Sequence, residues 1–125
     1  MKRVLDVGQC VPDHSAIRRL LEDEFDVQVE RTHERDDTLA ALRRGPVDLV
    51  LINRKLDIDY SDGLEILKEI KADPAFTSIP VMLVSNYPDA QEEAVGAGAE
   101  PGFGKAQLGS IETFEKLRKF LEEPR

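Results

Sequence analysis

One cysteine, Cys10, and two histidines are all the chain offers of the residues that build disulfides and zinc sites. A lone cysteine closes no intrachain disulfide, and so few Cys and His exclude a structural zinc site. That composition suits a reducing cytosol, so a cytoplasmic protein is expected. No apolar run approaches the ~20 residues of a membrane span. The opening Met1-Lys2-Arg3-Val4-Leu5-Asp6-Val7 is not a signal peptide, because its apolar stretch is short and Asp6 interrupts it. Basic charge is scarce too: 17 Lys and Arg stand against 25 Asp and Glu, a formal net charge of -8. Phosphate backbones repel such a chain, and no basic stripe with interleaved aromatics occurs. Direct nucleic-acid binding is not expected. Arg18-Arg19 and Arg43-Arg44 read as solvated helix faces.

What is present alternates. The 125 residues fit one domain, taken as 1–125, large enough to bury a core without staples. Short branched apolar runs at 4–7, 27–29, 47–52 and 81–84 read as buried strands, with a weak fifth near 102–103. Between them lie segments of helical spacing: Ile17, Leu20, Leu21 and Phe25; Leu39 and Leu42; Leu64, Leu67 and Ile70; Ile111, Phe114, Leu117 and Leu121. Punctuation agrees. Ser15 or Asp13 can cap the first helix, Asp62 the third and Ser110 the last. Gly45-Pro46 stops the second, Pro74 ends the third, Pro88 suits the first turn of the fourth, and Pro124 lies past the fifth. Gly96 and Gly98 shorten the fourth. Strands that are apolar throughout, separated by helices, mean a parallel sheet covered on both faces. Five βα units with right-handed crossovers give an α/β, doubly wound, three-layer sandwich. Ligands then sit at the carboxyl ends of the strands: Val7-Gly8-Gln9, Ile52-Asn53, Ser85-Asn86 and Gly104-Lys105.

Order and spacing together resemble the receiver domain of two-component response regulators over nearly the whole chain. Lys2-Arg3-Val4-Leu5, Ile17-Arg18-Arg19-Leu20-Leu21-Glu22, Val47-Asp48-Leu49-Val50-Leu51-Ile52, Asp62-Gly63-Leu64-Glu65, Ile79-Pro80-Val81-Met82-Leu83-Val84-Ser85, Ala97-Gly98-Ala99-Glu100 and Gly104-Lys105 carry the match. The resemblance implies a flavodoxin-like (βα)5 fold with strand order 2-1-3-4-5. It also implies an acidic pair after the first strand and an acceptor aspartate after the third, which together hold magnesium. A hard cation wants oxygen ligands, and it neutralises the transferring phosphoryl group. Counting back from the first helix, the pair falls on Gly8 and Gln9, and the acceptor on Asn53. None is a carboxylate, and an amide cannot form an acyl phosphate. Ser85 and Lys105 stand where the family's hydroxyl and ammonium contact phosphate, beside Asn86. Phe103 is taken as the family's switch aromatic, and Ala106 replaces its proline. The loop from Arg54 to Asp62 is about two residues longer than is usual.

The expectation is therefore a degenerate receiver: no enzyme, no cofactor, no metal, and a phosphorylation-independent protein-interaction module. Its partner would be a signalling kinase or effector, or a second copy. The face implied by the family comprises Gln91, Glu92, Val95, Phe103, Ile111, Glu115 and Lys119. An alternative keeps switching, with Asp6, Asp57 or Asp59 replacing the lost acids, or with an anion beside Ser85 and Lys105. A small flavodoxin-like enzyme or nucleotide binder is the third reading. The strand ends supply it neither an acid–base pair nor a dinucleotide fingerprint.

Individual residues have plainer readings. Without an acid near it in sequence, Lys105 is expected on Asn53, a backbone carbonyl or water. Asp6, inside an apolar strand, needs a local partner or a proton. Asp57, Asp59 and Asp62 begin like a calcium loop, but Gly63 is misplaced and Lys68 stands where the glutamate belongs. The glycine-rich run 96–105 is no phosphate loop, since Ala99 and Ala106 occupy required positions. His14 and His33 read as cap or surface histidines, and Cys10 as unreactive. No nucleophile elbow occurs. Residues 122–125 could begin a linker.

Overall fold

A computed structural model describes residues 1–122. Pro124, and all but the first residue of the suggested linker, lie outside the described residues. Five parallel strands form one sheet: β1 (Lys2–Val7), β2 (Val27–Thr32), β3 (Leu49–Asn53), β4 (Val81–Val84) and β5 (Glu100–Phe103), in the order β2-β1-β3-β4-β5. Helices α1 (Val11–Glu24), α2 (Arg35–Arg43), α3 (Gly63–Ala72), α4 (Pro88–Gly96) and α5 (Ile111–Leu121) connect or follow them. The doubly wound (βα)5 sandwich read from the sequence is the observed fold.

Period-2 alternation divides the core into two layers. Leu5, Val7, Val50, Ile52, Val81 and Leu83 face α2, α3 and α4, meeting Leu39, Leu42, Leu67, Ile70 and Ala94. Val4, Leu49, Leu51, Met82, Val84 and Phe103 face α1 and α5, meeting Ile17, Leu21, Leu117 and Leu121. Asp6 falls in step with Val4, so it too points toward α1.

Asp62 and Ser110 cap α3 and α5, their side chains accepting from Leu64 N at 2.9 Å and Thr113 N at 3.2 Å. The start of α1 differs from expectation. Cys10, not Ser15 or Asp13, is its N-cap, and Pro12 lies in the first turn. Proline fixes a helical φ and lacks the N–H that the first turn leaves unpaired, so it opens the helix earlier. Asp13 and His14 thereby become first-turn side chains, free to reach into the molecule.

Candidate functional site

The carboxyl ends of β3 and β4 open into a cavity of about 830 Å³. Asn53, Ser85, Asn86 and Lys105 line it together, as do Cys10, Arg54, Lys55, Asp57, Tyr60 and Tyr87. Four of the six pocket positions taken from the sequence therefore converge. Gly8 and Gln9 do not line it.

Gly8 takes part through its backbone. Its φ is +76°, and a Cβ there would sit 2.4 Å from Leu56 Cδ2. Leu56 is a buried core residue at the head of the lengthened β3–α3 loop. The loop is a closed turn: Leu56 N donates to Ser61 O, Tyr60 N to Leu56 O, and Asp57 N to Gly8 O. The insertion thus drives an apolar side chain into the space a side chain at residue 8 would need. Asn53 fixes the same corner. Its Nδ2 donates to Gly8 O at 3.1 Å and to Lys55 O at 2.7 Å.

The Gln9 side chain is wholly buried, and its amide lies beside Asp6 without a well-formed hydrogen bond. It lies in a polar cluster with Asp6, His14 and Arg31 instead of at the cavity. Asp6 is fully buried, and its Oδ2 is hydrogen-bonded to His14 Nδ1 across 2.7 Å. Arg31 Nη2 donates to Gln9 O at 3.1 Å, while Asp6 Oδ1 and Arg31 Nε stay unpartnered. Burial pushes the Asp6 carboxyl above its ordinary value, against the opposing hydrogen bond and charge of His14. Asp6 has the local partner the sequence demanded. His14 corrects the surface reading, since the early start of α1 turns it inward.

Lys105 is the second correction. It bonds neither Asn53 nor a carbonyl; its Nζ donates to Asp13 Oδ2 at 2.7 Å. The Lys105 hydrogen bond holds the Asp13 carboxyl below its ordinary range, more than burial raises it. Nothing in the sequence signals a pair 92 residues apart. Ser85 Oγ accepts from Tyr87 N at 3.2 Å, and Asn86 Oδ1 accepts from Ala106 N at 3.0 Å.

Of the positions assigned to the interaction face, Phe103 is buried and Gln91 is half-buried. Phe103 is 2 % exposed and packs in the α1–α5 layer, because its register with Val84 turns it that way. The next position along β5 that faces α4 is Gly102, which has no side chain, and a Cβ there would sit 2.1 Å from Leu83 O. Gln91 is a clamp rather than a contact surface. Its Nε2 donates to Leu83 O and Ser85 O at 2.9 and 3.1 Å, and its Oε1 accepts from Gly102 N at 3.0 Å. The β4–β5 register shifts at this point, so a side-chain amide supplies the lost pairing. Glu92, Val95, Ile111, Glu115 and Lys119 are exposed on α4 and α5, the helices flanking edge strand β5.

The residues do not fit the metal site of a working receiver. Gly8 and Gln9 bring no carboxylate, and Leu56 fills the space beside Gly8. Asp59 is engaged by Ser61 N, and Asp62 by Leu64 N and by Arg54 at 2.7 Å. Asp6 lies beneath α1, away from the cavity. Among the described residues no three of His, Cys, Asp and Glu come together as metal ligands. The rebuilt acidic site and the calcium-like loop are not assembled.

Fold and strand-end cavity define a receiver-type signalling domain. Residues 10–108 match the response regulator receiver domain family, and the chain belongs to that family. It is 29 % identical over 118 residues to chemotaxis protein CheY-3 of Vibrio cholerae, covering 90 % of this chain and 88 % of that protein. Its fold is that of a putative response regulator from Chloroflexus aurantiacus (TM-score 0.84, 16 % identity, 98 % of each chain). It is also that of the signal receiver domain of a DNA-binding response regulator from Colwellia psychrerythraea (TM-score 0.82, 22 % identity, 98 % of this chain and 100 % of that one).

Proposed function

We propose that this receiver works without accepting a phosphoryl group, as a protein-interaction module in a two-component pathway. Residue 53 carries the reading. Where the family's acceptor carboxylate would stand, an amide gives both hydrogens to backbone carbonyls, Gly8 O and Lys55 O. It has neither the charge nor the free orientation for attack on phosphorus. Leu56 against Gly8 and Asp13 on Lys105 support it, because the space and the cation that phosphoryl transfer uses are both taken. An anion-switched receiver is disfavoured for the same reason: the charge of Lys105 is already met.

In this reading the chain turns over no substrate. It meets a kinase, an effector or a second copy through the exposed parts of α4 and α5, with Val95 and Ile111 as apolar contacts and Glu92, Glu115 and Lys119 around them. It acts in the cytoplasm and touches neither membrane nor nucleic acid. No described helix is long and apolar enough to cross a membrane, and the net charge of -8 opposes phosphate backbones. The test is incubation with magnesium and radiolabelled acetyl phosphate, with beryllofluoride followed by amide chemical shifts in parallel. No label and unmoved Ser85 and Lys105 amides are expected. Magnesium-dependent labelling would sink the reading.

A further inference from the structure

The strand-end cavity has features that the proposed interaction role leaves unused. Its wall carries Tyr60 and Tyr87, which are 77 % and 72 % exposed, over an apolar floor of Val84 and Ala90. Two tyrosines left in water on one concavity are unusual, since aromatic rings contribute most when covered. Tyr60 is also the only non-glycine residue with positive φ among the described residues, at +59°. The turn in which Tyr60 N donates to Leu56 O holds it in that region.

Charge and hydrogen bonding narrow the ligand. Arg54, Lys55 and Lys105 line the cavity, but so do Asp57, Asp89 and Glu93. Lys105 is paired with Asp13, and Arg54 with Asp62. Lys55 alone of the three cations has no ion pair among the described residues, and Asp57, Asp89 and Glu93 offset it, so little net positive field remains to draw in a phosphate or carboxylate. Polar capacity remains without charge. Asn53 has used both amide hydrogens and keeps Oδ1 as an acceptor. Ser85 Oγ accepts from Tyr87 N and keeps its hydrogen to donate. Asn86 Oδ1 is occupied by Ala106 N, leaving its Nδ2 to donate. The volume of about 830 Å³ falls in the range of small-molecule sites and exceeds that of any single side chain.

We infer that this cavity binds an uncharged, planar aromatic molecule of two or more fused rings bearing a hydroxyl or carbonyl group, held against Tyr60 and Tyr87 with its polar group toward Asn53 and Ser85. A receiver switched by such a ligand would carry a chemical signal where its relatives carry a phosphoryl group. The inference rests on the reading that the pocket no longer accepts phosphoryl groups. The two are separable, because acetyl phosphate labelling tests that reading alone.

The test is an amide chemical-shift titration of the full chain with 2-naphthol, repeated with excess inorganic phosphate. Saturable shifts at Lys55, Ser85 and Tyr87 are expected with 2-naphthol and none with phosphate. The double variant Tyr60→Gly/Tyr87→Ala, which also relieves the backbone at residue 60, should weaken binding about tenfold or more. Arg43→Gln, exposed on α2 and outside the cavity, should leave it unchanged. The absence of saturable shifts with 2-naphthol, equal affinity in the double variant, or phosphate saturating the same amides would each overturn the proposal.

Discussion

Removing His14 should expose how much the buried Asp6 depends on it. Asp6 is fully buried, Oδ2 has His14 as its partner, and Oδ1 has none. Arg31 is a cation close enough to act on Asp6, but its Nη2 is already on Gln9 O and its Nε is unpartnered. His14→Ala strands a carboxylate under α1. Breaking a buried pair from one side costs about 3–5 kcal/mol, reduced here to about 2–4 because the deleted ring reaches the surface and water can follow. Against a total stability of roughly 5–15 kcal/mol this is a large share, worth on the order of 10 °C in Tm. Asp6→Val behaves differently, since it removes the charge and continues the apolar face of Val4. It should lie within about 1 kcal/mol of the parent or be more stable. The double variant should match Asp6→Val, giving a coupling of about 2–4 kcal/mol in a urea-denaturation cycle. The pH arm has a definite sign. Burial raises the folded pKa of Asp6 above 3.8, so the native state keeps a proton that the unfolded chain has released. The stability this group contributes is full below 3.8 and is lost as pH rises through the raised folded value. The His14→Ala deficit should therefore be greatest near neutrality and shrink on acidification, when Asp6 protonates. Additive single effects, or a deficit that does not change with pH, would refute the reasoning.

Asn53→Asp should not restore phosphorylation, because residues 8 and 9 still lack carboxylates. It should cost about 1–2 kcal/mol by losing two donated hydrogen bonds, measured by denaturation alongside acetyl phosphate labelling. Gly8→Ala should destabilise by at least about 1–2 kcal/mol from backbone strain alone, with the contact on Leu56 added; Leu56→Ala in the same chain should remove only the contact part. Gln91→Ala should leave the Leu83 and Ser85 carbonyls and Gly102 N without their clamp, lower stability by about 1–3 kcal/mol and speed hydrogen exchange at Gly102. Asp13→Asn should change stability by less than about 1 kcal/mol, since the pair is partly exposed, but free Lys105 to bind phosphate. The Asp13 contribution is present above 3.8 and lost as pH falls through its lowered folded value, so parent and variant should converge in acid.

The sequence by itself determined the fold and the residue types at the strand ends. Apolar runs such as Val81-Met82-Leu83-Val84 can be satisfied only by a sheet covered on both faces, and Asp62 and Ser110 cap through bonds to residues two and three positions on. Gly8, Gln9 and Asn53 were legible as non-carboxylates because identity alone decides charge. Only the tertiary structure decided what surrounds those residues. That Leu56 abuts Gly8, that Asp13 holds Lys105, that His14 turns in to Asp6 and that Phe103 faces the core all depend on contacts between distant segments or on strand register. Propensity, periodicity and spacing carry local information, and a pair separated by most of the chain leaves no trace in them. The same holds for the two tyrosines at the cavity, which the sequence presents as unremarkable loop residues and the fold brings to one wall.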